Sequence, residues 1–504
     1  VSARGTVVVI GGGLAGITAA IALREAGAEV TLLEARPRLG GATSSFSRGG
    51  LVVDNGQHVF LRCCTAYRGL LARLGMTGSV AVQDRFDITV LRPGGRARLR
   101  RTALPGPLHM GQALTGYRFL SFAQRLQVAR AALAMAALDP LAGGLDGERL
   151  GDWLAARGQD ERTRRVLWDL FTVSALNVHG DDASLALAAT VVKTALLGAR
   201  DAADIGTPAV PLGDLHGRAA AAVLSRMGAH VRLGAKAAAV QVLAGGPRAR
   251  FVVRLAERGR DGGGERAGGN GQAAGGSGGV VIEADAVVLA VPPQVAARLA
   301  PDGVATAGAG PGPEQWSELG TSPIVNVHMI YDRRITRLPF AAAVDSPVQW
   351  VFDRTGPSGL QTGQYLAVSL SAADGYVDVP SARLRERFLP AMAELFPAAR
   401  GARVTDFFVT RERRATLRQV PGCGRLRPPA ATGLPGLALA GAWTDTGWPD
   451  TMEGAVRSGL NAARVARRVL AAPAGGARAW AAGPPGVAEG GQDGAVRSGA
   501  GGPA

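Results

Sequence analysis

Three glycines, Gly11, Gly13 and Gly16, form a GxGxxG pattern with Leu14 and Ala15 inside it. A carboxylate, Glu34, follows at the distance of about twenty residues that a dinucleotide site needs. In such a turn the first glycine lets the chain reverse tightly. The second admits a pyrophosphate against the backbone, and the third lets a helix pack on a strand. The phosphates then meet the positive end of the helix and its unpaired N–H groups. A carboxylate at Glu34 accepts both ribose hydroxyls of an adenosine and repels a 2′-phosphate, which points away from NADP. The elements that must position these residues are legible beside them. Thr6–Ile10 is a short β-branched run, Leu14–Ala26 is Ala-rich with helical spacing, and Glu29–Leu33 is a second apolar run; together they read as βαβ.

With 504 residues and 47% hydrophobic composition, the chain can bury two cores, since single cores stop growing near ~250–300 residues. The formal charge is +16, but Lys193 and Lys236 are the only lysines and the arginines are spread along the whole chain. That distribution reads as an Arg-rich surface without the long basic run of a nucleic-acid binder, so nucleic acid is not an expected partner. Cys63, Cys64 and Cys423 suit neither a disulfide framework nor a zinc site. No metal is expected, and the setting expected is a reducing cytoplasm. The chain enters its first strand without the basic and apolar regions of a signal peptide, and no stretch offers the ~20 apolar residues that span a bilayer. Phe119–Leu138 and Ser184–Ala199 carry too many apolar residues for one ordinary amphipathic face. They read either as core or as a wall facing lipid or substrate. Arg118, Arg125 and Arg130 within Met110–Leu138 fit an interfacial helix. The Gly-rich insert at 258–279 and the Ala/Gly/Pro tail at 473–504 are expected to be disordered.

Past Glu34, Ala35 and Arg36, the run Arg38–Leu39–Gly40–Gly41 permits a second stretch of backbone to press against a cofactor. This resembles the superfamily of FAD-containing amine oxidases and carotenoid desaturases. Most members place an arginine after the glycine pair, where this chain has Ala42–Thr43–Ser44. Leu437–Gly441, Trp443–Asp445 and Met452–Val456 resemble the closing motif of the same superfamily. There a strand and glycine meet the ribityl-phosphate, and a helix N-terminus, carrying roughly half a positive charge, faces the N1/O2 edge of the isoalloxazine. Asp54–Asn55–Gly56–Gln57–His58, Leu104–Pro105, Pro107–Leu108–His109, the Phe119–Leu120–Ser121 helix start, Ala175–Leu176–Asn177, Asp204 with Pro208–Pro211–Leu212, and Trp443–Asp445 with Trp448–Pro449 are similar to the hydroxysqualene dehydroxylases, also called squalene-associated FAD-dependent desaturases. The likeness runs from about residue 6 to 470, insert excepted.

The resemblance implies an α/β fold in which a Rossmann-like FAD-binding domain of the glutathione-reductase type (5–85, 206–300 and 411–472) is interleaved with an α+β substrate domain. The latter is mostly helical over 86–205 and a sheet over 301–410. It implies FAD held by Gly11, Gly13, Leu14, Ala15, Gly16, Glu34, Ala35, Arg36, Gly40, Gly41, Ala42, Gly56, Gln57, His58, Val240, Gly441 and Met452. The reaction implied is reductive loss of an allylic hydroxyl, from hydroxysqualene to squalene, on a route to hopanoids or related triterpenes. No second GxGxxG occurs in a βαβ setting, so no nicotinamide domain is expected and an external electron donor is required. His58 is the first candidate for the proton that hydroxide needs in order to leave, because imidazole titrates near neutral pH; a histidine that only hydrogen-bonds backbone or flavin is the other reading. Asp445 is the second candidate. Apolar walls are expected from the helices between 110 and 200 and from strands at Ile324–Ile330 and Leu366–Leu370. A substrate dissolved in bilayers implies a cytoplasmic protein that docks on the inner membrane face. The alternatives are an oxidative isoprenoid desaturase, an amine oxidase, which would want a lysine after Val291–Pro293 where none follows Lys236, and a non-enzymatic prenyl-binding protein.

Overall fold

Val7, Val8 and Val9 are buried to 1% exposure or less because the strand Thr6–Ile10 sits in the middle of a parallel sheet covered on both faces. The strands of that sheet lie in the order His230–Leu233, Glu29–Glu34, Thr6–Ile10, Ala286–Leu289, Leu437–Leu439. Val7 pairs Val30 on one side and Ala286 on the other, and Val287 pairs Leu437. The computed structural model describes residues 5–105, 108–243, 250–257, 280–305 and 310–472. The expected disorder at 258–279 and 473–504 lies outside the described residues.

The first helix, Leu14–Glu25, buries nine of its side chains or backbone faces, Leu14 to Ile21 and Leu23. It packs against the closing helix, Met452–Ala471, so that Ala15, Ile17, Ala462, Ala463 and Ala466 share one core with the sheet. Small residues let the two backbones come close: a Cβ on Gly459 would strike the Ala15 carbonyl oxygen. A three-stranded antiparallel sheet, Ala237–Leu243, Arg250–Leu255 and Val281–Ala284, flanks this unit.

The second layer is a seven-stranded sheet in the order Val404–Leu417, Thr321–Tyr331, Gln364–Leu370, Trp350–Asp353, Phe340–Ala343, Asp87–Arg92, Gly95–Arg100. All pairs are antiparallel except Phe340–Ala343 with Asp87–Arg92. Its central strands are buried on both faces, Val325, Val327, Leu366 and Val368 being fully inaccessible. The fold is therefore α/β, a Rossmann-like nucleotide domain interleaved with an α+β substrate domain, as the sequence predicts.

Two buried ion pairs tie the layers together. Asp204 accepts from Arg101 Nε at 2.6 Å, from Arg101 Nη2 at 2.8 Å and from the Phe86 N–H at 2.7 Å. Burial works to raise the Asp204 pKa, but Arg101, the Phe86 N–H and Arg62 outweigh it and hold the carboxyl below its ordinary value. Arg354 Nη2 donates to Asp54 at 2.6 Å, and the other Asp54 oxygen accepts from Ser45 Oγ and the Leu212 N–H. Among the described residues no helix is long and apolar enough to cross a membrane.

Candidate active site

The glycine turn has the geometry its spacing predicts. Gly11 has φ +109°, and a Cβ there would strike the Ala290 carbonyl oxygen of the neighbouring strand end. A Cβ on Gly16 would strike the Gly11 carbonyl oxygen, so helix and strand touch here only because Gly16 lacks a side chain. The Gly40 N–H donates to the Gly12 carbonyl at 2.8 Å, Gly13 and Gly40 form a parallel bridge, and a Cβ on Gly41 would sit 2.8 Å from Gly13 Cα. Among the described residues, the only heavy atom within 4 Å of a Cβ built on Gly13, outside its own chain neighbours, is Gly41 Cα at 3.9 Å. The two glycine segments thus meet edge to edge and leave an open notch over the helix N-terminus, which is the room a pyrophosphate requires.

Glu34 ends its strand with 9% of its surface exposed. One carboxylate oxygen accepts the Gly12 N–H at 2.7 Å and the other the Arg36 N–H at 2.8 Å. A carboxylate has about four lone-pair sites, so those two bonds orient Glu34 and still leave acceptors for a ribose. The Ala235 N–H donates to the Glu34 carbonyl and the Gly234 N–H to the Arg36 carbonyl. These bonds lay the strand Ala237–Leu243, with Val240 buried in it, beside Glu34, Ala35 and Arg36.

The closing motif lies two strands away from the opening one in the same sheet. The Gly441 N–H donates to Ser458 Oγ at 2.9 Å, and Thr451 caps the closing helix by accepting from the Gly454 N–H at 3.3 Å. Met452 is the first residue of that helix, where backbone N–H groups have no intrahelical partner. Trp443 Nε1 donates to the Val291 carbonyl at 2.9 Å, which fastens the loop to the strand end before Pro292.

Gly56, Gln57 and His58 stand where the nucleotide domain meets the seven-stranded sheet. Asn55 Nδ2 donates to the Ala42 carbonyl at 2.8 Å and to Glu412 at 3.1 Å. The Asn55 carbonyl accepts from Asn326 Nδ2 and Thr410 Oγ1, each at 3.3 Å. His58 Nδ1 lies 3.2 Å from the Gly56 carbonyl, so Nδ1 carries the hydrogen, and Nε2 has no partner among the described residues. Burial lowers the His58 pKa; the Gly56 carbonyl, Asp54 and Glu412 oppose the shift without cancelling it, and Arg354 adds to it. Two buried polar atoms in this region have no partner among the described residues: Gln57 Nε2, a donor, and Asn326 Oδ1, an acceptor. Leaving such groups unpaired costs about 1–3 kcal/mol each. A polar ligand ring or a substrate hydroxyl would satisfy both, so the residues present fit a flavin.

Asp445 stands elsewhere. It is exposed, and its carboxylate accepts the Gly447 N–H at 3.1 Å across a short turn. It shares no hydrogen bond with His58 among the described residues. A cavity of about 580 Å³ bordered by Thr31, Ser225, His230 and Ile282 touches none of the candidate residues.

Three contributors are absent from the sequence reading. Asn326 and Glu412 come from strands some 270 to 360 positions beyond Asn55 (separations of 271 and 357). Glu453, quoted only as a letter of the closing motif, is 1% exposed and accepts the Tyr67 and Ala66 N–H groups and Arg457 Nε. It therefore caps the helix Thr65–Arg73 and pins it to the closing helix. A carboxylate in a first helical turn is a signal for capping, but nothing in the sequence pairs residue 453 with residue 66.

Fold and site together define a dinucleotide-binding flavoprotein. The sequence model of the flavin-containing amine oxidoreductases matches residues 14–467. A hydroxysqualene dehydroxylase of Rhodopseudomonas palustris is 31% identical over 91% of this chain and 97% of its own length. A zeta-carotene desaturase of Zea mays is 24% identical over 90% of this chain and 82% of its own. Among solved structures, putrescine oxidase superposes with a TM-score of 0.65 at 20% identity, covering 92% of this chain and 98% of that one, which is a likeness of fold. The chain belongs to the flavin-containing amine oxidoreductases and, within them, to the hydroxysqualene dehydroxylase family. It is an FAD-dependent oxidoreductase.

Proposed function

We propose that this chain removes the allylic hydroxyl of hydroxysqualene and yields squalene, on a route to hopanoids or related triterpenes. The relationship to a hydroxysqualene dehydroxylase along nine-tenths of the chain carries the reading, and the polar cluster around His58 supports it. In the net reaction a C–O bond breaks and a C–H bond forms. One hydride and one proton are consumed, and water leaves. Bound FAD, in its reduced form, supplies the hydride. Gly11, Gly13, Leu14, Ala15, Gly16, Gly40, Gly41 and Ala42 would hold its pyrophosphate, and Glu34, Ala35, Arg36 and Val240 its adenosine. Gly441 and Met452 would hold the flavin end, with Gly56, Gln57 and His58 beside the ring.

Hydroxide is a poor leaving group, so the oxygen must gain a proton as it departs. His58 serves this at Nε2, the nitrogen its Gly56 contact leaves free. It takes up that proton at Nε2 from the medium, and because burial lowers its pKa the proton is held weakly and passes to the departing oxygen, which leaves as water. Asn326 Oδ1 accepts the substrate hydroxyl hydrogen and so turns the oxygen's lone pairs outward. Asp445, exposed and engaged with Gly447, is the second proton donor to test. The apolar strands Thr321–Tyr331 and Gln364–Leu370 exclude water from the reacting carbon. Electrons enter from an external donor, and the chain works as a peripheral protein on the cytoplasmic face of the membrane that dissolves its substrate.

The test is anaerobic incubation of dithionite-reduced holoenzyme with hydroxysqualene, read by mass spectrometry and flavin absorbance. Squalene with flavin reoxidation supports the reading. An untouched alcohol overturns it, and turnover of phytoene in the same assay replaces it with the desaturase.

A further inference from the structure

Six of the large apolar side chains that stand in solvent fall within residues 104–141: Leu104, Leu108, Phe122, Leu126, Leu133 and Leu141. Phe122 is 80% exposed and Leu133 60%. The helix Phe122–Ala136 is anchored by its opposite face, where Val128, Ala131 and Met135 are buried. A Ser121–Gln124 capping box fixes its start, worth about 1 kcal/mol. Phe122, Leu126, Arg130 and Leu133 then share the outward stripe by helical spacing. This helix presents an apolar face that nothing among the described residues covers.

The charge around it is one-sided. Residues 88–138 contain eight arginines and no carboxylate. Arg98 and Arg100 pair with Asp87, Arg101 with Asp204, and Arg125 clamps the Leu120 and Thr115 carbonyls. Arg96, Arg118 and Arg130 are exposed and hold no hydrogen bond or ion pair among the described residues. Apolar side chains interleaved with unpaired cations match the boundary between acyl chains and anionic headgroups. A second copy of the same face would bring the arginines against one another, which disfavours self-association.

We propose that the helix Phe122–Ala136, with Leu104, Leu108 and Leu141 around it, is the surface by which this protein seats itself on an anionic lipid bilayer. The proposal rests on the reading that the substrate is drawn from a membrane, and it names the part of the chain that meets it.

Flotation of the holoenzyme with phosphatidylcholine vesicles, with and without phosphatidylglycerol, tests it. Wild type is expected to float with the anionic vesicles and to sink with neutral ones or in high salt. Leu126→Glu with Leu133→Glu, checked for folding by flavin absorbance, should weaken binding about tenfold per residue. Arg118→Ser and Arg130→Ser, which disturb no core contact, should each weaken it about fivefold on anionic vesicles only. Wild type that stays at the bottom overturns the proposal. So does the Leu double variant floating unchanged, or a dimer that this variant splits by light scattering. Squalene formation from detergent-dispersed hydroxysqualene is measured in parallel. Activity without flotation overturns the docking face alone, and flotation without activity strikes the reaction and leaves the face standing.

Discussion

The adenosine end of the proposed cofactor groove and its reactive end are built on opposite plans. At Glu34 the carboxylate is already oriented by the Gly12 and Arg36 N–H groups, and these carboxylate partners all lie between residues 12 and 36. At His58 the participants are Asn55, Gln57, Asn326, Thr410 and Glu412, and two of their buried polar atoms are without partners among the described residues. The first end is preorganised by short-range backbone geometry and needs only to bind. The second holds polar capacity in reserve, which a protein keeps at the cost of stability where a ligand or a reacting group will use it.

That contrast can be broken by substitution. His58→Phe is expected to give the largest effect, a fall in squalene formation on the order of hundredfold to ten-thousandfold with flavin content unchanged. Full activity in His58→Phe would leave the proton to Asp445 and remove His58 from the chemistry. Glu34→Ala acts at the other end. It strands two N–H groups and removes the ribose acceptor, for about 3 kcal/mol, so FAD retention measured by fluorescence titration should weaken on the order of hundredfold. Unchanged retention would show that the carboxylate only shapes the turn.

Acid should expose the buried histidines that flank the reactive end. His216, bonded to Tyr67 Oη at 2.8 Å, is pushed down to about 3 by burial, with nearby His58 adding to the shift. His328, between Tyr365 and Thr410, is pushed down to about 3 by burial and by Arg48. Their folded pKa values lie below the ordinary 6.5, so protonation favours the unfolded chain. The stability they contribute is complete above pH 6.5 and is lost as pH falls from there toward 3. The unfolding free energy read from urea titrations should be level between neutral and mildly alkaline pH, then drop toward a slope of about 2.7 kcal/mol per pH unit, about 1.4 from each histidine; a level profile down to pH 5 would refute the assignment. The smallest change in stability belongs to Asn326→Leu. Removing an unpaired buried acceptor should leave folding within about 1 kcal/mol of wild type or slightly improve it, while turnover falls. Loss of both together would make Asn326 a structural residue.

How much of this is legible without the fold varies with the range of the interaction. The opening strand, helix and second strand stand within one or two residues of their predicted bounds, and the closing helix covers Met452–Ala471 where Met452–Leu470 is expected. Two apolar segments read alike from sequence and end differently. Leu185–Leu196 is mostly core, with Leu185, Ala188, Ala189 and Val192 nearly inaccessible, and its last turns open into a π-helix. The Phe119–Leu138 segment yields a helix only from Phe122, because Gly116 to Ser121 turns the chain, and it keeps Phe122, Leu126 and Leu133 outside. Composition cannot separate the two, since burial depends on which neighbours the chain brings up.

By itself the sequence determined the glycine turn, the carboxylate at the end of the second strand and the capped closing helix. Each is a matter of backbone dihedrals, hydrogen bonds and periodicity within a few tens of residues. Only the tertiary structure decided that Asn326 and Glu412 meet Asn55, that Glu453 caps the helix at Thr65, that Asp445 stands in solvent, and that one of two apolar helices is left bare. Those outcomes depend on contacts across hundreds of residues, where strand order and packing choose the partner and no local pattern records the choice.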